Sequence, residues 1–178
     1  QTSSKIILTI NRLGMRIAIL TVSDSRNSAD DSSGDYLVGA IGAAGHVLHE
    51  RAWLPDDKYL LRAMLSQWIA DPGCHAVLMT GGTGFTGRDS TPEAITPLLD
   101  KLMPGFGESF RALSFADIGT AALQSRAFAG LANGTIIVAL PGSTNACRLA
   151  WSKILCHQFD AATRPCNLAQ LQSRFLEQ

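Results

Sequence analysis

Four glycines, Gly81, Gly82, Gly84 and Gly87, fall within seven positions directly after the apolar run Ala76–Met79. That order constrains the fold more than any other stretch of the chain. A short apolar run bounded by turn residues suits a buried strand, and the glycines let the backbone behind it wrap closely around a ligand. A loop without Cβ atoms exposes its N–H groups, and a row of N–H groups is a natural cradle for phosphate. The stretch continues through Asp89 to Thr91-Pro92-Glu93, where a hydroxyl N-cap, a first-turn proline and an early acid predict a helix start.

The flanking pattern repeats this strand-to-helix step. Met15–Val22 predicts a buried strand ending in the polar loop Ser23-Asp24-Ser25-Arg26, which runs to Gly34. Helical spacing follows at Leu37, Val38, Ile41 and Ala44, stopped by Gly45. His46–Leu54 predicts a second strand closed by Pro55, and apolar residues at Leu60, Leu61, Met64, Leu65 and Trp68 make one stripe of a helix over Asp56–Ala70. Ala76–Thr80 is the third strand. A βαβαβ order with short links predicts a parallel sheet with helices on both faces. The ends of successive parallel strands then share one edge, so Ser23-Asp24-Ser25 and Gly81–Gly84 should meet there.

Further on, Pro92–Leu102 predicts a helix kinked or split at Pro97, and Pro104–Glu108 a turn into a helix over Ser109–Asp117. Arg126–Leu131, Asn133-Gly134 and Thr135–Leu140 predict a β-hairpin with a tight two-residue turn. Its last strand ends in Pro141-Gly142-Ser143-Thr144, with Ser143 a candidate N-cap for a helix whose stripe is Cys147, Ala150, Trp151, Ile154 and Leu155. From Ala161 the tail is polar, broken at Arg164-Pro165.

Composition removes several classes of function. The 178 residues fit one domain and carry a net charge of zero, with no basic stripe, so nucleic acid is not an expected partner. No apolar run approaches the roughly 20 residues that span a bilayer, so no membrane association is expected. Gln1–Asn11 have neither the cleavage site nor the long apolar core of a signal peptide, and a cytoplasmic location is expected. Cys74, Cys147, Cys156 and Cys166 form no Cys-x-x-Cys pair and are expected to be free thiols. His46, His49, His75 and His157 contain no i, i+4 pair that would suggest zinc. An ordinary dinucleotide fold would want Gly-x-Gly-x-x-Gly after the first strand, where Ser23-Asp24-Ser25 stands, and no Gly-Lys pair supports a P-loop.

Four motifs, in order and at suitable spacing, carry a family resemblance: Thr21–Arg26, Pro55-Asp56-Asp57, Gly81–Gly84 with Arg88-Asp89 and Thr91-Pro92-Glu93, and Leu140–Ser143. Over residues 15–167 the chain resembles the molybdopterin adenylyltransferase-type proteins, the MoaB/MogA group of molybdenum cofactor biosynthesis. Phe106-Gly107-Glu108, Ser114-Phe115 with Ile118-Gly119, Leu123–Arg126, Ala146-Cys147-Arg148 and Thr163–Asn167 resemble its MoaB branch. The resemblance implies an N-terminal extension (1–14), one molybdopterin-binding α/β domain (15–167) and a C-terminal tail (168–178). The implied fold is a three-layer α/β/α sandwich with a mostly parallel sheet and a β-hairpin, assembled as a homotrimer or homohexamer (a dimer of trimers). The implied activity is attack of molybdopterin's terminal phosphate on the α-phosphorus of ATP, with Mg²⁺, giving adenylyl-molybdopterin and pyrophosphate.

On that resemblance Gly81, Gly82, Thr83 and Gly84 would offer N–H groups to the nucleotide phosphates. Asp56 and Asp89 would hold or orient Mg²⁺, a hard cation that prefers carboxylate and water oxygens. Ser23, Asp24 and Ser25 would line the pocket, as would Pro141, Gly142 and Ser143. Each has a plainer counterpart: Asp56 as the N-cap of its helix, Asp89 as stabiliser of the next helix start, Ser143 as a simple cap and Arg88 as a solvated charge. Arg126 and Arg148 could bind phosphate or a neighbouring subunit, and Trp53, Trp68 and Trp151 belong to the core or an interface. The competing function is a molybdopterin carrier or scaffold on the same fold, since a pocket does not guarantee turnover.

Overall fold

The computed structural model describes residues 14–178, so the proposed N-terminal extension lies almost wholly outside it. Six strands form one sheet: β1 (Arg16–Val22), β2 (Val47–Leu54), β3 (Ala76–Thr80), β4 (Lys101–Leu102), β5 (Phe128–Ala132) and β6 (Thr135–Leu140), in the spatial order β2-β1-β3-β6-β5-β4. β2, β1, β3 and β6 run parallel, β5 is antiparallel to β6, and β4 is antiparallel to β5.

The central strands are apolar on both faces, which a parallel sheet covered on both sides requires. Alternation divides them between two cores. Ile17, Ile19, Leu78, Ile136 and Val138 pack against α1 (Ser32–Ala43), α4 (Pro104–Ile118) and α5 (Thr144–Ala150), through Leu37, Ile41, Phe106, Phe110, Cys147 and Ala150. Ala18, Leu20, Val77, Met79 and Ile137 pack against α2 (Lys58–Ala70) through Leu61, Leu65 and Trp68, and against α3 (Thr91–Ile95) through Ala94 and Ile95. The three-layer arrangement and its mostly parallel sheet are those expected.

The hairpin is also as expected. Asn133 and Gly134 take φ values of 48° and 80°, the left-handed pair that a tight two-residue turn needs. The middle of the chain departs from expectation. Helix α3 ends at Ile95, a 3₁₀ turn occupies Thr96–Leu98, and Lys101–Leu102 is an edge strand paired with Leu131 and Gly130 rather than helix. Pro97 removes an N–H and tightens the chain into that turn. Conversely, α4 begins at Pro104, five residues earlier than expected, because proline at the first helical position gives up an N–H that would be unpaired anyway. Gly107 is accepted inside α4 because a Cβ there would lie 2.8 Å from the Ala127 carbonyl, so the helix packs closely over the start of β5.

Helix α1 starts at Ser32, inside the stretch expected to be loop, because Asp31 accepts the Gly34 N–H and caps it. Helix α5 widens into a π turn at Trp151–Leu155 and ends in one more turn at Cys156–Gln158. The expected stripe is buried there at Cys147, Ala150, Trp151 and Leu155. Past the Arg164-Pro165 break the tail forms a short helix, α6 (Leu168–Leu171), whose cap is Asn167. Among the described residues no helix is long and apolar enough to cross a membrane, and all four cysteines are free thiols.

Candidate functional site

The ends of β1, β3 and β6 are level: Thr21 pairs with Thr80, and Thr80 with Leu140. The three loops that follow therefore start side by side, at the point where the chain order around β1 reverses. Between them and α4 lies a cleft of about 500 Å³, a size suited to a small organic ligand. Its lining includes Ser23, Ser25, Arg26, Gly81, Gly82, Thr83, Gly84, Asp89, Pro141, Gly142 and Ser143, so the loops expected to meet do so.

Gly81 adopts φ 111°, and a Cβ there would come within 2.1 Å of the Val22 carbonyl. Only glycine allows the loop after β3 to cross so closely over the end of β1. Gly82 (φ 68°) and Gly84 lack side chains for a different reason. The Asp56 carboxylate occupies the space a Cβ at Gly82 would need, at 2.6 Å, and the Asp89 carboxylate does the same at Gly84, also at 2.6 Å. The Gly81 N–H donates to the Leu140 carbonyl at 2.9 Å and the Thr91 hydroxyl to the Gly81 carbonyl at 3.0 Å. The loop is thereby tied to β6 on one side and to α3 on the other. Thr91 is thus the first residue inside α3 rather than its cap; Ser90 holds the cap position.

Asp89 lines the cleft. Its Oδ2 accepts from the Thr86 N–H at 2.9 Å and the Thr86 hydroxyl at 2.7 Å, which rounds off the loop tip rather than capping α3. Burial pushes this carboxyl up, but those bonds, the Gly84 N–H and the Arg126 charge outweigh it and hold the group below its ordinary value. It is therefore ionised at neutral pH. Asp56 is placed differently. It does not cap α2, a role that Asp57 takes by accepting from the Tyr59 and Leu60 N–H groups at 2.9 Å. Asp56 accepts instead from the Ser90 hydroxyl and N–H, and approaches the cleft only across Gly82.

Asp24, expected to line the pocket, is not among the residues lining the cleft and sits on its rim, between Ser23 and Ser25. It accepts the Asp56 N–H at 3.0 Å and pairs with Arg88, whose side chain stays mostly solvent-exposed as expected. The Asp56 N–H, then the Arg88 guanidinium, hold its carboxyl below the usual range. Ser23 accepts from the N–H groups of Ser25 and Arg26 at 3.3 and 3.0 Å, turning the chain after β1. Ser143 accepts the Ala146 N–H at 3.2 Å and is the expected cap of α5. Neither arginine considered for subunit contacts is idle. Arg126 donates to the Gly84 and Asp89 carbonyls and pairs with Glu93, while Arg148 lies over the Tyr36 ring.

Two parts of the site were not singled out as candidates. One is Asp31, which is 0 % exposed and accepts from the Thr21 hydroxyl (2.5 Å), the Gly34 N–H (2.9 Å), the Trp53 indole (3.0 Å) and Arg51 (3.1 Å). It fixes the start of α1, whose Ser33 hydroxyl donates to the Gly142 carbonyl at 2.8 Å. The available signal was an acid three residues before Gly34, in a capping position. The other is the far wall of the cleft, Phe110, Ser114, Ile118, Ala121, Gln124 and Ser125. Its trace lay in the MoaB-branch motifs around Ser114, Ile118 and Leu123–Arg126.

The donor set suits a magnesium ion that keeps most of its waters. Among the described residues no three His, Cys, Asp or Glu side chains converge as a ready-made metal cage. Mg²⁺ does not need one, since it keeps several waters and takes one or two carboxylates plus substrate phosphates. Asp89, ionised and lining the cleft, suits that role directly, whereas Asp56 lies against Gly82 and is engaged by Ser90.

Comparison with known proteins agrees with this geometry. Residues 18–161 match the family model described as "Probable molybdopterin binding domain". The chain is 55% identical over 152 residues to molybdenum cofactor biosynthesis protein B of Escherichia coli K12, covering 85% of this chain and 89% of the relative. A crystal structure of a molybdenum cofactor biosynthesis protein B superposes with a TM-score of 0.84 at 34% identity, over 92% of this chain and 98% of that one. The tungsten cofactor synthesizing protein MoaB from Pyrococcus furiosus superposes with a TM-score of 0.74, also at 34% identity, over 82% and 93%. The chain belongs to the MoaB/MogA molybdopterin-binding family, as a molybdenum cofactor biosynthesis protein of the MoaB type.

Proposed function

We propose that this protein is a molybdopterin adenylyltransferase. An oxygen of molybdopterin's terminal phosphate attacks the α-phosphorus of ATP. A new P–O–P bond forms, the α–β anhydride bond breaks, and pyrophosphate leaves with the bonding electron pair. Such a reaction asks the protein for positioning and charge stabilisation rather than covalent chemistry. The observation that carries the reading is the glycine loop with Asp89 on the cleft wall, at the level ends of β1, β3 and β6.

Within it, Gly82 and Thr83 present N–H groups toward phosphate oxygens. Asp89 is the acid to hold Mg²⁺, which supplies positive charge against the two phosphates when bound. Asp56 fixes Ser90 and so the far end of the loop, and Asp24 with Arg88 ties that loop to the rim. The exposed apolar side chains Phe115, Ile118 and Leu123 suit burial between copies in a homotrimer or hexamer. A cytoplasmic location goes with this reading. The metal destination is molybdenum on the name of the Escherichia coli relative and tungsten on that of the Pyrococcus furiosus one.

One observation favours the alternative, a molybdopterin carrier: the Asp56 carboxylate is engaged by Ser90 and is not part of the cleft lining. Incubation with molybdopterin, ATP and Mg²⁺ separates the two. Magnesium-dependent appearance of adenylyl-molybdopterin and pyrophosphate is expected, lost in Asp89→Asn with the fold intact. Tight molybdopterin binding without either product, beside an active control enzyme, would replace the transferase by the carrier.

A further inference from the structure

A cleft that gathers anionic phosphates around an ionised Asp89 needs a cation of its own, and among the described residues lining it Arg26 is the only lysine or arginine. The other nearby guanidiniums are engaged: Arg126 by the Gly84 and Asp89 carbonyls and Glu93, and Arg88 by Asp24. Arg26 pairs with no carboxylate among the described residues. It is half-buried, and its Nη1 donates to the Gly142 carbonyl at 2.7 Å. That bond hooks the loop after β1 onto the loop after β6. It also sets the guanidinium beside Gly142, whose own missing Cβ would lie 3.5 Å from the Gly81 Cα. The backbone feeds this placement, since Ser23 accepts the Arg26 N–H.

We infer that Arg26 is the phosphate anchor of the cleft, binding an oxyanion of the substrate with the guanidinium donors that Gly142 leaves over. A guanidinium has five N–H donors in a planar fork that matches phosphate, so one bond to a carbonyl leaves a two-pronged face for the ligand. The inference rests on the cleft being the phosphate site proposed above. The anchored group is either the phosphoanhydride of the nucleotide or the phosphate monoester of the pterin.

Calorimetric titration of the intact protein with inorganic pyrophosphate and, separately, with phenyl phosphate tests it. Arg26→Gln keeps an amide donor for Gly142 and removes the charge, and Arg148→Gln removes an equal charge outside the cleft. Folding of each variant is checked by thermal unfolding. Arg26→Gln should weaken binding of at least one probe about tenfold or more, Arg148→Gln neither, and Arg26→Lys should recover part of the loss. Loss for pyrophosphate alone assigns Arg26 to the nucleotide, and loss for phenyl phosphate alone assigns it to the pterin. Unchanged binding in Arg26→Gln, equal loss in Arg148→Gln, or no binding of either probe by the unmodified protein overturns the inference. Because the readout is binding, a chain that carries molybdopterin without adenylating it still passes. An inactive transfer assay alone would overturn only the assigned reaction.

Discussion

Arg126 holds Asp89 by its backbone rather than its carboxylate: Nη2 donates to the Asp89 carbonyl at 2.8 Å, while Nε of the same guanidinium donates to the Gly84 carbonyl at 2.7 Å. One side chain thus pins both ends of the loop tip and satisfies their carbonyls. The Arg126 N–H adds a third tie, to the Thr83 carbonyl at 2.8 Å. Arg126→Ala should therefore slow adenylyl transfer about tenfold or more through misplacement of Asp89. It should also cost about 2 kcal/mol of stability. Transfer rates and urea unfolding check both, and a variant with unchanged transfer would show that the loop tip does not need the clamp.

The glycines of this loop are not equivalent. A methyl group at Gly81 meets the Val22 carbonyl at 2.1 Å on a backbone with φ 111°, whereas at Gly87 nothing lies within 4 Å. Gly81→Ala should cost about 3 kcal/mol or more, from strain and the displaced β1 end together. Gly87→Ala should stay within about 0.5 kcal/mol of the parent. Equal denaturation midpoints for the two variants would mean that the close crossing over Val22 is absent in solution.

What was legible in the chain was what is local. Asn133-Gly134 announces its turn because two adjacent residues must both take positive φ, and Ala76–Gly84 announces strand and loop by a change of composition within nine positions. Asp56 and Asp57 show the limit, since adjacent aspartates before a helix offer the same cap and only the start at Lys58 decides between them. The far wall of the cleft depends on where α4 lies against the sheet, which no spacing within α4 states. Asp31 was missed because its donors come from β1, β2 and α1, elements that meet only after folding.

Asp31 also sets the acid behaviour of the fold. Burial pushes its carboxyl up, but the Thr21, Gly34, Arg51 and Trp53 donors outweigh that and hold it below its ordinary value. A folded-state value below the unfolded one contributes stability that is present above about pH 4 and lost as pH falls through the folded value. Asp31→Asn should thus be less stable near neutral pH, by about 2 kcal/mol from the weakened charge-assisted hydrogen bonds, Arg51 keeping Asp35 as a partner. Its stability should also fall less steeply than the parent's below about pH 4. Parallel stability-versus-pH curves for the two proteins would remove Asp31 from the acid transition.

The thiols give a test of the packing under the cleft that involves no ligand. Cys147 is fully buried, with its Sγ 3.3 Å from the Thr80 hydroxyl, and burial pushes its thiol up to about 11. Cys74 is buried at the other end of β3 and is pushed up to about 12, also by burial. Both thus hold almost no thiolate at pH 8, and the thiolate is the species that reacts. Cys166 is exposed and Cys156 half-buried. A thiol-specific reagent at pH 8 should therefore modify Cys166 first and Cys156 more slowly, with Cys74 and Cys147 reacting only after unfolding. Mass mapping of the modified peptides over time reads this order directly. Early modification of Cys147 would mean that the start of α5 opens away from Thr80, and with it the Pro141–Ser143 wall of the cleft.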